Sequence, residues 1–297
     1  MFIKIQPLNI EELNRKRDKI GILMMIINAI CVSTMTLLVK YVQHLPLMEL
    51  IFFRSLPLML IVPLVLKNRR ISFIGNNNRL LFLRCLFAGC GLIAYFYSIT
   101  SMTITDAITI KQLSPIFIII LASIFLGESI NLQKISVFIL AFFGVVLIVK
   151  PGLNFNIFPA ISGMLGAIFF AGSQIALRHL RLTDHLLVIV NYFGITLGLS
   201  SFTILLFQGS FVFPDMSSLG ILIALGVVGV GGQVSLTKSF QMAPANLVSL
   251  YSYLQIIFGA ILGIIFFKEI PDLFSIFGAS LIIISGYLYY KLNIKTN

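Results

Sequence analysis

The sequence predicts an all-α integral membrane protein of ten transmembrane helices, arranged as two inverted five-helix repeats. Three observations predict it: a series of apolar runs near span length, a shortage of charge, and an internal match between the halves. A helix needs about 20 apolar residues to cross roughly 30 Å of hydrocarbon. Hydrophobic residues make up 59% of the 297 and charged residues 10%, against about a quarter charged in a soluble domain. Mean hydropathy is +1.05. That composition excludes a water-soluble fold. The runs lack the alternation in roughly ten-residue segments that marks a membrane β-barrel, so helices must satisfy the backbone polar groups.

Residues 1–19 form a polar segment, expected to be cytoplasmic, and the first apolar run, 20–39, follows it. This run is of span length and lacks a convincing small-residue cleavage site, so it reads as a retained span and not as a signal peptide. Run 47–66 carries Glu49 and Arg54, run 80–100 carries Arg84, and run 104–126 carries Asp106, Lys111 and Pro115. Run 135–149 closes a first repeat over 20–150, and a link at 151–156 leads into the second repeat, 157–290. The second repeat holds runs 157–176, 186–206, 219–237, 247–267 and 273–290, followed by a tail at 291–297.

Charge sets the expected orientation. With the N-terminus inside, fifteen basic residues fall on the cytoplasmic side: Lys4, Arg15, Lys16, Arg17, Lys19, Lys67, Arg69, Arg70, Arg79, Lys134, Arg178, Arg181, Lys238, Lys291 and Lys295. Three, Lys40, Lys150 and Lys268, fall outside. Lys and Arg stay preferentially cytoplasmic, so both termini are expected inside. The net charge of +11 does not read as a nucleic-acid surface, because the bases are scattered between spans. Cys31, Cys85 and Cys90 lie inside apolar runs, where cysteine behaves as a small hydrophobe, and imply neither a disulfide framework nor a metal site. No cofactor motif is present: Gly229 to Gln233 (GVGGQ) lies within a span, with no preceding strand and no following Lys-Ser/Thr, and reads as helix packing.

Sliding the chain against itself gives a match at an offset of 141, pairing Leu113 with Leu254, Phe117 with Phe258, Leu121 with Leu262 and Glu128 with Glu269. Each Glu ends the fourth span of its half. An odd number of spans per half makes the halves cross the membrane in opposite directions, which is a transporter architecture with its substrate site near the midplane between them.

The run LSPIFIIILASIFLGES with Pro115, Gly127 and Glu128, its degenerate copy ending in FFKE at Glu269, and GGQVSLTKSFQMAPAN at 231–246 resemble the drug/metabolite transporter superfamily, as two tandem EamA-type domains. The second copy has Ile256 where the first has Pro115, so a proline kink is expected on one side only. Within the superfamily the resemblance extends over essentially the full length to its S-adenosylmethionine carriers. It implies a secondary transporter that imports S-adenosylmethionine across the bacterial inner membrane, in exchange for S-adenosylhomocysteine. The alternatives are a carrier of amino acids or another small metabolite, in either direction, and, in a different class, a channel or a non-transporting membrane protein. An enzyme is not expected: His44, His179 and His185 lie at span ends or loops and no HExxH occurs.

Ionisable groups within spans are costly and usually face a cavity or a partner. Lys111, with Gln112 beside it and Pro115 one turn on, is the foremost candidate to bind a substrate carboxylate. Arg54 is a candidate for the same chemistry, and Glu49 for drawing a cationic substrate into an outer vestibule. Arg84, about four residues from the cytoplasmic start of its span, reads instead as a side chain snorkelling to the headgroups. In the second half, Asn191, Tyr192, Tyr251, Ser252 and Gln255 are the expected pathway residues, with Gln174 and Gln233 as further polar groups there. Ser252 is the repeat counterpart of Lys111. A purine could stack on a Tyr or Phe ring, and a sulfonium could rest over one.

Overall fold

The computed structural model describes residues 10–126, 132–149, 157–243 and 245–296, and among them every regular element is helical. The first half contributes α1 (Ile10–Tyr41), α2 (Leu47–Asn68), α3 (Asn78–Ser101), α4 (Ile104–Lys111), α5 (Ser114–Leu126) and α6 (Leu132–Val149). The second contributes α7 (Phe158–Thr183), α8 (Leu186–Gln208), α9 (Met216–Met242), α10 (Ala245–Ser252), α11 (Leu254–Phe267) and α12 (Leu273–Thr296). Within α1, α2, α3, α7, α8 and α9 the apolar stretches are long enough to cross a membrane, and shorter apolar stretches lie in α6, α11 and α12. Glu128 and the link at 151–156 lie outside the described residues.

Local chemistry fixes the helix ends. Pro46 precedes α2. Asn77 caps α3, its Oδ1 accepting from the Leu80 amide at 3.2 Å, and Thr103 caps α4 through the Asp106 amide at 3.1 Å. Gly209, with φ of +57°, ends α8 in the left-handed region that glycine enters without penalty. The helix α1 starts earlier than the apolar run, because nothing between Ile10 and Ile20 breaks a helix and the charged stretch simply continues it.

Runs 104–126 and 247–267 are each interrupted, at Gln112–Leu113 and at Tyr253, positions 141 residues apart. Only the first break follows from proline: Pro115 has no amide to give the Lys111 carbonyl. The second has no proline, so the proline break is on one side only and this interruption has another cause. There the Gln112 side chain donates to the Ser252 carbonyl, and the Ile256 amide turns to the Tyr253 carbonyl at 3.0 Å. A side chain from one interrupted helix thus takes the acceptor that the other helix's ladder would use.

The helices pack as α1 against α9 and α11, α7 against α3, α4 and α5, α2 against α8 and α9, α4 against α11, and α6 against α12. Small residues allow the closest approaches. A Cβ at Gly194 would stand 2.7 Å from Leu58 Cβ, which seats α8 on α2, and one at Gly278 would stand 2.5 Å from the Gly144 carbonyl oxygen, where α12 crosses α6. The glycines at 229–232 likewise meet Arg54 and Cys31, as helix packing.

Candidate functional site

A cavity of about 940 Å³, its open mouth included, lies among α1, α2, α3, α7, α8, α9 and the two interrupted helices. One face of α3 lines it with Arg84, Ala88, Leu92 and Tyr95, spaced as a single helical stripe, and α1 does the same with Met25, Asn28, Val32 and Met35. Arg54 enters from α2, Phe170 and Gln174 from α7, and Phe193 from α8.

Lys111 ends α4 and donates from Nζ to Gln255 Oε1 at 2.9 Å. Gln255 Nε2 donates to Asn28 Oδ1 at 3.2 Å, and Asn28 Nδ2 to the Gly232 carbonyl at 2.9 Å. One chain of hydrogen bonds therefore crosses α4, α11, α1 and α9, each amide oriented by the next. The Lys111 ammonium also stands 4.9 Å from the Tyr95 ring centroid and 5.6 Å from that of Phe170, and the Tyr95 hydroxyl is 2.7 Å from Thr36 Oγ1. The guanidinium carbons of Arg54 and Arg84 lie 5.3 Å and 4.9 Å from the Phe193 centroid. Rings thus hold all three cations of the cavity through their electron-rich faces.

Five of the expected site residues meet here: Lys111, Gln112, Arg54, Ser252 and Gln255 all line the cavity, as do Gln174 and Gln233. Four do not. Glu49 is buried, and its Oε2 accepts from the Val212 amide at 3.1 Å, which ties α2 to the link before α9 and leaves no carboxylate in a vestibule. Asn191 precedes the cavity-lining Phe193 by two residues, about 200° around the helix. Tyr192 spends its hydroxyl on Asn78 Oδ1 at 2.7 Å, at an exposed position. Tyr251 sits about 100° from Ser252 and packs against the apolar core.

Arg84 is the main correction. Only 2% of it is exposed, and it lies over Phe193 in the cavity wall instead of snorkelling to headgroups. Its depth in the span favoured the wrong reading, although the stripe Arg84, Ala88, Leu92, Tyr95 marked the face it shares with an aromatic residue. Phe170 and Phe193 carried no sequence signal that separated them from ordinary packing, whereas Asn28, a polar amide within the apolar run 20–39, carried one that the reading of the sequence missed.

The ends of α1, α4 and α11 are joined by a charged side-chain cluster. Lys40 donates to the Met102 carbonyl at 2.8 Å and pairs with Glu269, and Glu269 Oε2 accepts from the Ile104 amide at 2.8 Å. This carboxylate caps the first turn of α4 while it joins α1 to the end of α11.

A multi-pass helical bundle with a polar, cation-bearing cavity between interrupted helices defines a membrane transporter as its class. The chain belongs to the EamA-like transporter family, which matches it over residues 19–150 and again over 157–291. It is 32% identical to the pseudopaline exporter CntI of Pseudomonas aeruginosa over 271 residues, 90% of this chain and 94% of that one. It is 30% identical to solute carrier family 35 member G1 of Mus musculus over 285 residues, 90% of this chain and 77% of that one. The S-adenosylmethionine uptake transporter of Rickettsia prowazekii is 30% identical over 203 residues, 68% of each chain. That match is shorter than the full-length likeness expected from the sequence. A solved crystal structure shares the fold, with a TM-score of 0.71 at 15% identity, over 93% of this chain and 98% of the other.

Proposed function

We propose that the chain is a secondary carrier of the bacterial inner membrane, working by alternating access about its central cavity. The twelve helices among the described residues then make ten spans, α4 with α5 and α10 with α11 each forming one, in two inverted halves with both termini cytoplasmic. The observation that carries this reading is the pair of interruptions, 141 residues apart and joined across the cavity by Gln112 to Ser252 and Lys111 to Gln255. Discontinuous helices meeting at a midplane site are the recurring device of such carriers. Helix contacts support the two-fold relation: exchanging each span for its counterpart turns α1 on α9 into α7 on α3, and α1 on α11 into α7 on α5.

The cargo that the resemblance to the rickettsial carrier puts forward is S-adenosylmethionine, moved in exchange for S-adenosylhomocysteine. It is favoured by the rickettsial relative and by rings of Tyr95, Phe170 and Phe193 at the cavity on which an adenine could stack. The pseudopaline exporter matches over more of the chain and favours a different cargo, moved outward. Uptake of radiolabelled S-adenosylmethionine into proteoliposomes, with S-adenosylhomocysteine, methionine and adenosine as separate competitors, decides between them. Saturable uptake blocked chiefly by S-adenosylhomocysteine supports the first. No uptake above empty vesicles by folded protein removes it and leaves a carrier for another metabolite.

A further inference from the structure

The cavity contains three cations and, among the described residues, no Asp or Glu lines it. Arg54 and Arg84 are 6% and 2% exposed and face one ring, that of Phe193. Among the described residues, Arg54 Nη1 and Arg84 Nε and Nη1 have no hydrogen-bond partner, and Arg54 Nε donates to the Met35 thioether at 3.3 Å. Lys111 meets a neutral amide and two rings. Of the carboxylates on the neighbouring elements, Glu49 accepts from the Val212 amide, Glu269 is held by Lys40 and the Ile104 amide, and Asp106, in the first turn of α4, is not among the residues that line the cavity. Charges buried without counter-charges are costly and persist where a ligand supplies the opposite sign.

We propose that the cavity binds a small metabolite bearing at least two carboxylates, one on the Arg54 and Arg84 guanidinium pair and one at Lys111. Planar guanidinium forks match carboxylates two bonds at a time, while an ammonium serves as a compact second charge. Tyr95, Phe170 and Leu92 border the space between and suit a carbon skeleton. A phosphate could also meet the guanidinium forks, but it would lack the free helix-start amides that phosphate sites commonly add, since the Ile116, Phe117 and Ile256 amides are taken by backbone carbonyls. S-adenosylmethionine, with a sulfonium and an ammonium against one carboxylate, adds net positive charge to a positive cavity. The inference rests on the carrier reading and names the cargo of the same site.

The test is binding to the purified full-length protein, followed as ligand-induced thermal stabilisation at fixed pH and ionic strength. The probes are glutarate, citrate, monomethyl glutarate, S-adenosylhomocysteine and S-adenosylmethionine. Glutarate or citrate should bind at least about tenfold more tightly than monomethyl glutarate and than S-adenosylmethionine, one charge-assisted pair accounting for that factor. Arg84→Gln should abolish the difference, and Lys291→Gln, at an exposed position on α12, should keep it. Equal binding of acid and ester, tightest binding of S-adenosylmethionine, or no binding of any acid to folded protein overturns the inference. If Arg84→Gln does not fold, the acid and ester comparison on the unaltered protein still decides. Counterflow in proteoliposomes separates the two readings. Tight acid binding without counterflow defeats the carrier and leaves this inference, whereas counterflow of S-adenosylmethionine with no preference for diacids does the reverse.

Discussion

Lys111 ends its helix between a side-chain amide and two aromatic rings. Lys111→Ala should lower transport by about 10- to 100-fold, the worth of a lost charge-assisted contact, while the protein remains monodisperse in gel filtration. A proteoliposome flux assay on matched amounts of protein checks it. Tyr95→Phe removes only the hydroxyl that meets Thr36 at 2.7 Å. It should cost about 1 kcal/mol of stability and leave the ring under the ammonium, so thermal unfolding should shift while flux stays close to the parent. Asp106, in the first turn of α4, separates coupling modes: if the carrier works by exchange, Asp106→Asn should leave the exchange rate close to the parent, whereas loss of net uptake with exchange preserved would point to proton coupling. At this scale the ionisable residues within spans were legible in the sequence, because polar groups are rare there and usually have a purpose. Their neighbours Phe170 and Phe193 were not, since 27 phenylalanines leave no way to tell a site ring from a packing ring.

The interrupted helices show how an element can be set by a partner. Gln112→Leu would return the Ser252 carbonyl to its own helix, and the Ile256 amide could then resume the ordinary ladder bond. We expect slower amide exchange at Ile256 by mass spectrometry together with loss of transport; unchanged exchange would mean that the interruption has another cause. Gly194 lies where α8 meets α2, 2.7 Å from Leu58 for any added Cβ. Gly194→Val should therefore overpack the contact, cost about 1–3 kcal/mol and lower the yield of monodisperse protein. The first interruption could be read from Pro115. The second could not, because no local residue in Leu247–Phe267 breaks a helix and the cause is a hydrogen bond from 140 residues away.

For the molecule as a whole, the proposed alternating-access cycle predicts that the tie among α1, α4 and α11 opens and closes. With Cys31, Cys85 and Cys90 replaced, Lys40→Cys together with Glu269→Cys, bridged by a bifunctional thiol reagent, should abolish transport, and a cleavable reagent should restore it on reduction. Full flux in the bridged protein would show that this end need not open. The sequence by itself determined that the chain is helical, crosses a membrane several times and carries the EamA pattern twice, because hydrocarbon imposes span length and apolarity on each segment independently of its neighbours. Tertiary structure alone decided which polar residues share a cavity. Glu49 and Arg54 differ by five residues, yet one is tied to the link before α9 and the other faces Phe193; Arg84, assigned by depth to the headgroups, lies in the site. Depth is a property of the sequence, whereas the direction a side chain takes around its helix acquires meaning only when the opposing helices are in place.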